Sequence, residues 1–390
     1  MSRKKPTSTD CVHGGRGGYE EAHSVTTPVV YSSPFEFAST AELMDFMEGR
    51  SMRVQPEYGR MGNPTVRSVE RRLAELDCAE ESQLFASGMA AVTSLFLSSL
   101  KTGDHLIITG DSYRRTRDFA ATLSKFGISH AVADASLDCV AAAIRPETRL
   151  IFAEVPTNPY LNVLDIEELS QLAKEAQALS VVDATFATPL NLSPLEHGID
   201  LVVHSATKYL GGHNDLIAGV LSGSRERVEP VSEFLMTLGA ICDPHTAFLL
   251  ERGLKTLALR VNQHNSSALA IAEFLEAHPR IQRVFYPGLP SHPHHLIAKR
   301  LMSGFGGVVS FCIDGDFQET LRFLDRLEIP RLAPSFGGAE SLVEPVAVMS
   351  YWNCSREERA QIGIPDNLVR FSVGLEETSD LLSDLERALG

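Results

Sequence analysis

Ser180-Val181-Val182-Asp183-Ala184-Thr185-Phe186 and His204-Ser205-Ala206-Thr207-Lys208-Tyr209-Leu210-Gly211-Gly212 decide the fold. Each begins as an apolar run and ends in polar side chains. In an open α/β sheet the carboxyl ends of parallel strands are where ligands bind. Here those ends deliver a carboxylate, two hydroxyls and an amine to one edge. Asp183 and Lys208 lie about one strand–helix–strand step apart, so neighbouring strands present both.

Outward from this pair the same alternation continues. Short apolar runs at residues 105–109, 150–155, 201–204 and 219–222 read as strands. Helical spacing is predicted near residues 88–100, 114–126, 166–178 and 231–238, and again from Thr65 through Val66, Val69, Leu73 and Leu76. Strands alternating with helices predict a mostly parallel sheet covered on both faces. After about residue 250 the texture changes. A long helical stretch over 246–278 leads into strand-like runs at 307–313 and 368–373, with helices near 317–327 and 379–389. We read residues 63–250 as a large α/β domain and 251–390 as a smaller α+β domain. Residues 1–62, rich in Gly, Ser, Thr and Pro with little periodicity, read as an arm that needs something to lie against. Its Gly14-Gly15-Arg16-Gly17-Gly18 piece has no preceding strand and no following helix, so it reads as a turn rather than a phosphate loop.

Composition narrows the function. The chain has 390 residues, 44% of them apolar and 22% charged, and a net charge of −15. That balance predicts a large core and argues against a nucleic-acid surface or an anionic membrane, both of which call for clustered Lys and Arg. No apolar run approaches bilayer length. The basic start, Met1-Ser2-Arg3-Lys4-Lys5-Pro6, precedes no apolar core, so it does not read as a secretory signal. The six cysteines, Cys11, Cys78, Cys139, Cys242, Cys312 and Cys354, are scattered without a C-x-x-C pair, which points to a reducing compartment, with the cytosol as the default. His292-Pro293-His294-His295 invites a metal reading, but a proline interrupts it and the spacing fits no helical ligand pair, so we expect no metal site.

One cofactor chemistry wants the set at the strand ends. Pyridoxal phosphate is held as a Schiff base by a lysine amine, kept electron-hungry by a carboxylate at its pyridine nitrogen, and anchored through its phosphate by hydroxyls and helix N-terminal amides. Lys208, Asp183, Ser205 and Thr207 match those roles. Phe85-Ala86-Ser87-Gly88-Met89-Ala90-Ala91 adds small residues at a helix start, where the Gly88 and Met89 amides make an anion seat. Arg370 stands inside the apolar run 368–373 and reads as a clamp for a substrate carboxylate.

These segments, with Tyr58-Gly59-Arg60-Met61-Gly62-Asn63-Pro64-Thr65, Pro156-Thr157-Asn158-Pro159-Tyr160 and Tyr286-Pro287-Gly288-Leu289-Pro290-Ser291-His292-Pro293, resemble the Cys/Met-metabolism family of pyridoxal-phosphate enzymes over nearly the whole chain. The resemblance implies fold type I, the aspartate-aminotransferase-like architecture. Tyr113-Arg114-Arg115-Thr116-Arg117, Ala333-Pro334-Ser335-Phe336-Gly337-Gly338 and Met349-Ser350-Tyr351-Trp352 are most similar to plant-type cystathionine γ-synthases. By position the resemblance implies Lys208, Tyr113 and Asp183 as catalytic. It implies Tyr58, Arg60, Gly88, Met89, Tyr113, Asp183, Thr185, Ser205, Thr207 and Lys208 around the cofactor. Arg370, Ser335, Asn158, Arg115 and Glu57 are implied at the substrate. Tyr58 and Arg60 would reach a neighbouring subunit's phosphate, so the arm would cross an interface of a homo-oligomer, a tetramer of two dimers.

The implied reaction is replacement or elimination of a γ-substituent on an L-amino acid. Pro334 stands where many cystathionine-handling relatives carry glutamate, which argues against cystathionine as substrate. Plant-type enzymes have lysine at Arg115, and Glu57 adds a carboxylate that could attract a cationic distal group. The first expectation is a cystathionine γ-synthase-like enzyme using an activated L-homoserine ester and cysteine. The alternative is a γ-lyase acting on canavanine or methionine; the lack of a cysteine beside Tyr113 argues against methionine.

Overall fold

The computed structural model describes residues 5–15, 24–51 and 56–390. Two sheets organise them. The larger holds β1 (Glu81–Phe85), β2 (His105–Thr109), β3 (Ser129–Ala133), β4 (Thr148–Glu154), β5 (Leu179–Asp183), β6 (Leu201–Ser205) and β7 (Gly219–Gly223) in the order β1-β7-β6-β5-β4-β2-β3. Neighbours from β6 across to β3 pair parallel, and β7 runs antiparallel to both β6 and β1. The expectation of a mostly parallel sheet holds.

Successive side chains of these strands enter different cores. Ile107, Ile151, Val182 and Val202 face one apolar layer with Ile166 and Leu169. Leu106, Ile108, Phe152, Val181 and Val203 face the other, with Leu95 and Phe96. Burial on both faces is why the central strands read as unbroken apolar runs. It also fixes direction: on β4, β5 and β6 the terminal Glu154, Asp183 and Ser205 fall in phase with the second layer, the side of helix Gly88–Ser99.

The smaller sheet holds β8 (Ile281–Phe285), β9 (Val308–Ile313), β10 (Arg331–Leu332), β11 (Leu342–Pro345) and β12 (Leu368–Ser372) in the order β10-β11-β12-β9-β8. The stretch over 246–278 is not one helix but two, Pro244–Leu254 and Leu257–Ala277. The break has a cause. Gly253 is where the first helix meets the backbone of Gly211, with a Cβ placed there only 2.2 Å from the Gly211 carbonyl oxygen. At the break the Gly253 carbonyl oxygen accepts from Arg260 Nη2 at 2.7 Å and from the Thr256 amide at 3.2 Å.

The arm is less irregular than its composition suggests. It contains helices Ser8–His13 and Thr40–Met47. The first is held on its own chain: Cys11 is fully buried, and Arg72 Nη1 donates to the Cys11 carbonyl oxygen at 2.7 Å. The second helix buries none of its residues. Part of the glycine-rich piece, Arg16 to Gly18, lies outside the described residues. None of the six cysteines forms a disulfide among the described residues, and no described helix is long and apolar enough to cross a membrane.

Candidate active site

A cavity of about 590 Å³ opens at the carboxyl ends of β4, β5 and β6, roofed by residues of the smaller sheet. Lys208, Tyr113, Asp183, Gly88, Met89, Thr185, Ser205, Thr207, Arg370, Ser335, Asn158 and Arg115 all line it. Tyr58, Arg60 and Glu57 do not. Arg60 donates through Nη1 to the Met236 carbonyl oxygen at 2.5 Å, and Tyr58 is half-exposed.

Local structure places each group. Ser87 caps helix Gly88–Ser99 by accepting from the Ala90 amide at 3.0 Å, which leaves the first amides of the helix, those of Gly88 and Met89, without an intrahelical partner. Gly88 sits against Ser205; a Cβ on it would meet Ser205 Cβ at 3.0 Å. Amides, dipole and the Ser205 hydroxyl thus meet at one small seat suited to a dianion. Thr207 Oγ1 turns to the Ala218 backbone, accepting from its amide at 3.1 Å.

Asp183 closes the floor. Its Oδ1 accepts from the Thr185 amide at 3.0 Å and from Thr185 Oγ1 at 2.5 Å, and that hydroxyl in turn accepts from the Ser205 amide at 2.8 Å. Thr185 therefore orients the carboxylate from within the cavity lining. Burial pushes the Asp183 carboxyl above its ordinary range, and the Thr185 hydrogen bonds pull against that. A half-buried carboxylate with no cation hydrogen-bonded to it is the partner that a protonated ring nitrogen requires.

Lys208 Nζ donates to Ser335 Oγ at 2.7 Å and lies 5.0 Å from the centre of the Phe336 ring. Burial lowers its pKa to about 8; the nearby Arg370 charge lowers it further and Glu344 opposes the shift. The residues present fit pyridoxal phosphate: an amine with pKa about 8, a half-buried acid with no cation hydrogen-bonded to it and an anion seat share one cavity.

Arg370, on β12, is 5% exposed. Its Nη1 donates to Asn158 Oδ1 at 3.1 Å and pairs with Glu344 Oε1 at 3.3 Å, while Nη2 donates to the Ser335 carbonyl oxygen at 3.1 Å. Ser335 carries φ +110, a backbone region costly for an L-residue by roughly 1–3 kcal/mol and found where the surroundings over-determine it. Those surroundings are Arg370, Lys208 and the Ser372 hydroxyl, which also donates to the Ser335 carbonyl.

Two acids escaped the sequence reading. Glu344 on β11 stands opposite Arg370 across the antiparallel pair, and it is 1% exposed. Glu154 ends β4, registers against Asp183 and accepts from the Tyr113 amide at 2.7 Å. The strand-end rule that found Asp183 applies equally to Glu154. At the mouth, Arg114 Nη1 donates to the Ser350 carbonyl oxygen at 3.1 Å, Arg115 pairs with Asp118 at 3.2 Å, and Trp352 is largely exposed. The histidine cluster is spent on backbone: His292 Nε2 lies 3.1 Å from the Tyr160 carbonyl oxygen, His294 Nδ1 accepts from the Val163 amide, and His295 Nδ1 lies near the Pro287 carbonyl oxygen.

Residues 8–390 match the model of the Cys/Met metabolism PLP-dependent enzyme family. The chain is 50% identical over 378 residues to cystathionine gamma-synthase 1, chloroplastic, of Nicotiana tabacum, covering 96% of this chain and 69% of that protein. It is 41% identical to the cystathionine beta-lyase of Lactococcus lactis subsp. cremoris over 98% of both chains. The crystal structure of cystathionine gamma-lyase from Lactobacillus plantarum, complexed with L-serine, superposes with a TM-score of 0.90 at 38% identity, covering 98% of this chain and 97% of that one.

Proposed function

The chain belongs to the Cys/Met-metabolism enzymes that depend on pyridoxal phosphate, and from that premise we propose that it replaces or eliminates the γ-substituent of an L-amino acid, with an activated L-homoserine ester and cysteine as its first substrates. When bound, the cofactor supplies an electron sink for the charge left as substrate protons depart. The chain's own groups do the rest. Lys208 would hold the cofactor through its aldehyde and is the amine placed to move protons at the substrate's Cα and Cβ. An amine with pKa about 8 is matched to that task near neutral pH. Ser335 Oγ accepts from the same Nζ and so aims it. Asp183 would keep the proton on the ring nitrogen, Tyr113 would cover the ring, and Ser205, Thr207 and the Gly88 and Met89 amides would hold the phosphate. Arg370, supported by Asn158 and Ser335, takes the substrate α-carboxylate through two charge-assisted bonds.

The observation that carries this reading is the single connected set Lys208–Ser335–Arg370 inside the cavity that also holds Asp183. Choice among family activities rests on the mouth. Pro334 offers no charge to the distal amine of cystathionine, whereas Arg114 and Arg115 suit an anionic γ-substituent. A screen decides it. Purified protein is offered O-acetyl-, O-succinyl- and O-phospho-homoserine with cysteine, then cystathionine, methionine and canavanine alone. Cystathionine formation is the expected result; ammonia with 2-oxobutyrate from one amino acid, or homoserine from canavanine, establishes the γ-lyase instead. Lys208→Ala should lose both turnover and the bound-cofactor absorption.

The assembly belongs to the same proposal. Residues 1–62 form the arm, 63–250 the cofactor domain and 251–390 the smaller domain, with one sheet on either side of residue 250 supporting the division. Tyr58 and Arg60 lie outside their own chain's cavity, which supports their completing a neighbour's phosphate seat in a tetramer of two dimers. Glu57 precedes them at the neighbour's mouth. Mixed Lys208→Ala and Arg60→Ala subunits should then regain activity that neither variant has alone; an active monomer contradicts the arrangement. Six cysteines without a disulfide among the described residues support a reducing compartment such as the cytosol.

A further inference from the structure

Glu154 has no part in the chemistry so far, yet it is buried where charge matters most. It is 3% exposed, and its Oε1 is buried with no hydrogen-bond partner. Register places it beside Asp183 on the adjacent strand, on the same sheet face. Adjacent strands lie about 4.8 Å apart, so the two carboxyls share one low-dielectric site. Two carboxylates in such a site do not both ionise; the pair keeps a proton.

The hydrogen bonds say which member keeps it. Asp183 Oδ1 accepts twice from Thr185, and bonds of that kind favour the anion. Glu154 accepts only once, from the Tyr113 amide, leaving Oε1 free to carry a hydrogen. The charged and titratable groups around Glu154 are Asp183 on β5, Asp111 after β2, Arg117 on helix Arg114–Thr122, and Tyr351 at the mouth. The two aspartates outweigh the one arginine, and burial pushes the Glu154 carboxyl well up, in the same direction.

We propose that Glu154 is a positioning residue that stays protonated beside Asp183, anchoring the backbone of Tyr113 while leaving Asp183 as the one negative charge under the cofactor ring. This rests on the reading of Asp183 as the ring-nitrogen partner. Tyr113 opens helix Arg114–Thr122 without any side-chain cap, so the Glu154 carboxyl is what ties the start of that helix to the sheet. The tie holds the aromatic ring over the cavity. A protonated tie does this without adding a second anion that would compete for the ring proton.

Glu154→Gln tests the charge, because it keeps the shape and a carbonyl oxygen for the Tyr113 amide. Glu154→Ala removes the tie. Infrared difference spectra of cofactor-free wild type against Glu154→Gln should contain the carbonyl stretch of a protonated carboxyl at neutral pH. Cofactor affinity, read by absorbance titration of the apoprotein, should stay within about threefold in Glu154→Gln and weaken at least about tenfold in Glu154→Ala. A carboxylate band in place of the protonated one, or a Glu154→Gln loss as large as that of Glu154→Ala, overturns the proposal. Asp183→Asn separates the premise. If that variant binds cofactor with unchanged affinity and spectrum, the ring-nitrogen reading fails, and the proposal falls with it.

Discussion

Replacing Arg370 with methionine divides the structural work of that side chain from its catalytic work. The guanidinium is 5% exposed and is the cation paired with Glu344, itself 1% exposed, at 3.3 Å. Removing it strands a buried carboxylate. Breaking such a pair from one side costs about 3–5 kcal/mol. At about 1.4 kcal/mol per decade, that is roughly two to three and a half powers of ten in the folding constant. Oδ1 of Asn158 also loses its Arg370 donor, adding about 1 kcal/mol, while the Ser335 carbonyl keeps the Ser372 hydroxyl. The second change, Glu344→Gln, withdraws the stranded charge and nearly keeps the volume. Urea unfolding of Arg370→Met should show the loss, and Arg370→Met/Glu344→Gln should recover at least half of it. kcat/KM should behave otherwise. Two charge-assisted bonds to the substrate carboxylate, at about 1.5–3 kcal/mol each, put both variants down by about 10²–10⁴ with no recovery in the double. An unchanged unfolding midpoint in the single variant refutes the buried ion pair, and recovered kcat/KM in the double refutes the carboxylate clamp.

The Lys208 amine predicts a pH dependence of cofactor capture. Only a neutral amine attacks the aldehyde, so the rate at which cofactor-free protein takes up pyridoxal phosphate should rise with pH around a midpoint near 8; a midpoint near 10.5 contradicts the buried lysine. The sign for stability follows. With the folded pKa below the unfolded value, the unfolded chain binds more protons between pH 8 and 10.5, so stability should climb across that window and climb less in Lys208→Met. Gly219→Ala places a Cβ 2.2 Å from the Ser87 carbonyl oxygen, which must push the anion seat aside; we expect about 1–3 kcal/mol of destabilisation in urea and weaker phosphate binding by the apoprotein. Arg115→Ala should lower kcat/KM for O-phospho-homoserine about tenfold at low salt and leave an uncharged γ-substituent within about twofold, with the gap narrowing as ionic strength rises.

Much of this architecture was legible before any coordinates. Strands β2, β4, β5, β6 and β7 announce themselves because the interior of the sheet is buried on both faces, leaving nothing polar to interrupt them. The strands that were missed have physical excuses. β1, β3 and β8 are sheet edges, and β8 exposes Gln282 and Arg283, so their pattern is diluted. β11 is interior but only four residues long, and its four buried residues include Glu344, an acid tolerated there because Arg370 faces it from β12. The same pairing hid Glu344 from the reading of the site, since a cross-strand partner has no sequence spacing. Twelve of the fifteen site residues that were singled out do line one cavity; Glu57, Tyr58 and Arg60 sit on the arm, whose destination a single chain does not contain. The helix over 246–278 was read as continuous because apolar spacing survives the break, which is set by the approach of Gly211 and the reach of Arg260.

The cavity is assembled from two sheets with separate duties. The larger contributes what every reaction of this cofactor needs: anion seat, acid and amine. The smaller contributes the strap from Pro334 to Phe336, whose Ser335 hydroxyl reaches the Lys208 amine, and the guanidinium of Arg370, which holds the Ser335 carbonyl. A new substrate preference can therefore arise by rewriting a few positions on the strap and the facing rim, with the machinery for bond-breaking left untouched. That modularity gives protein engineers a short stretch of chain on which to work.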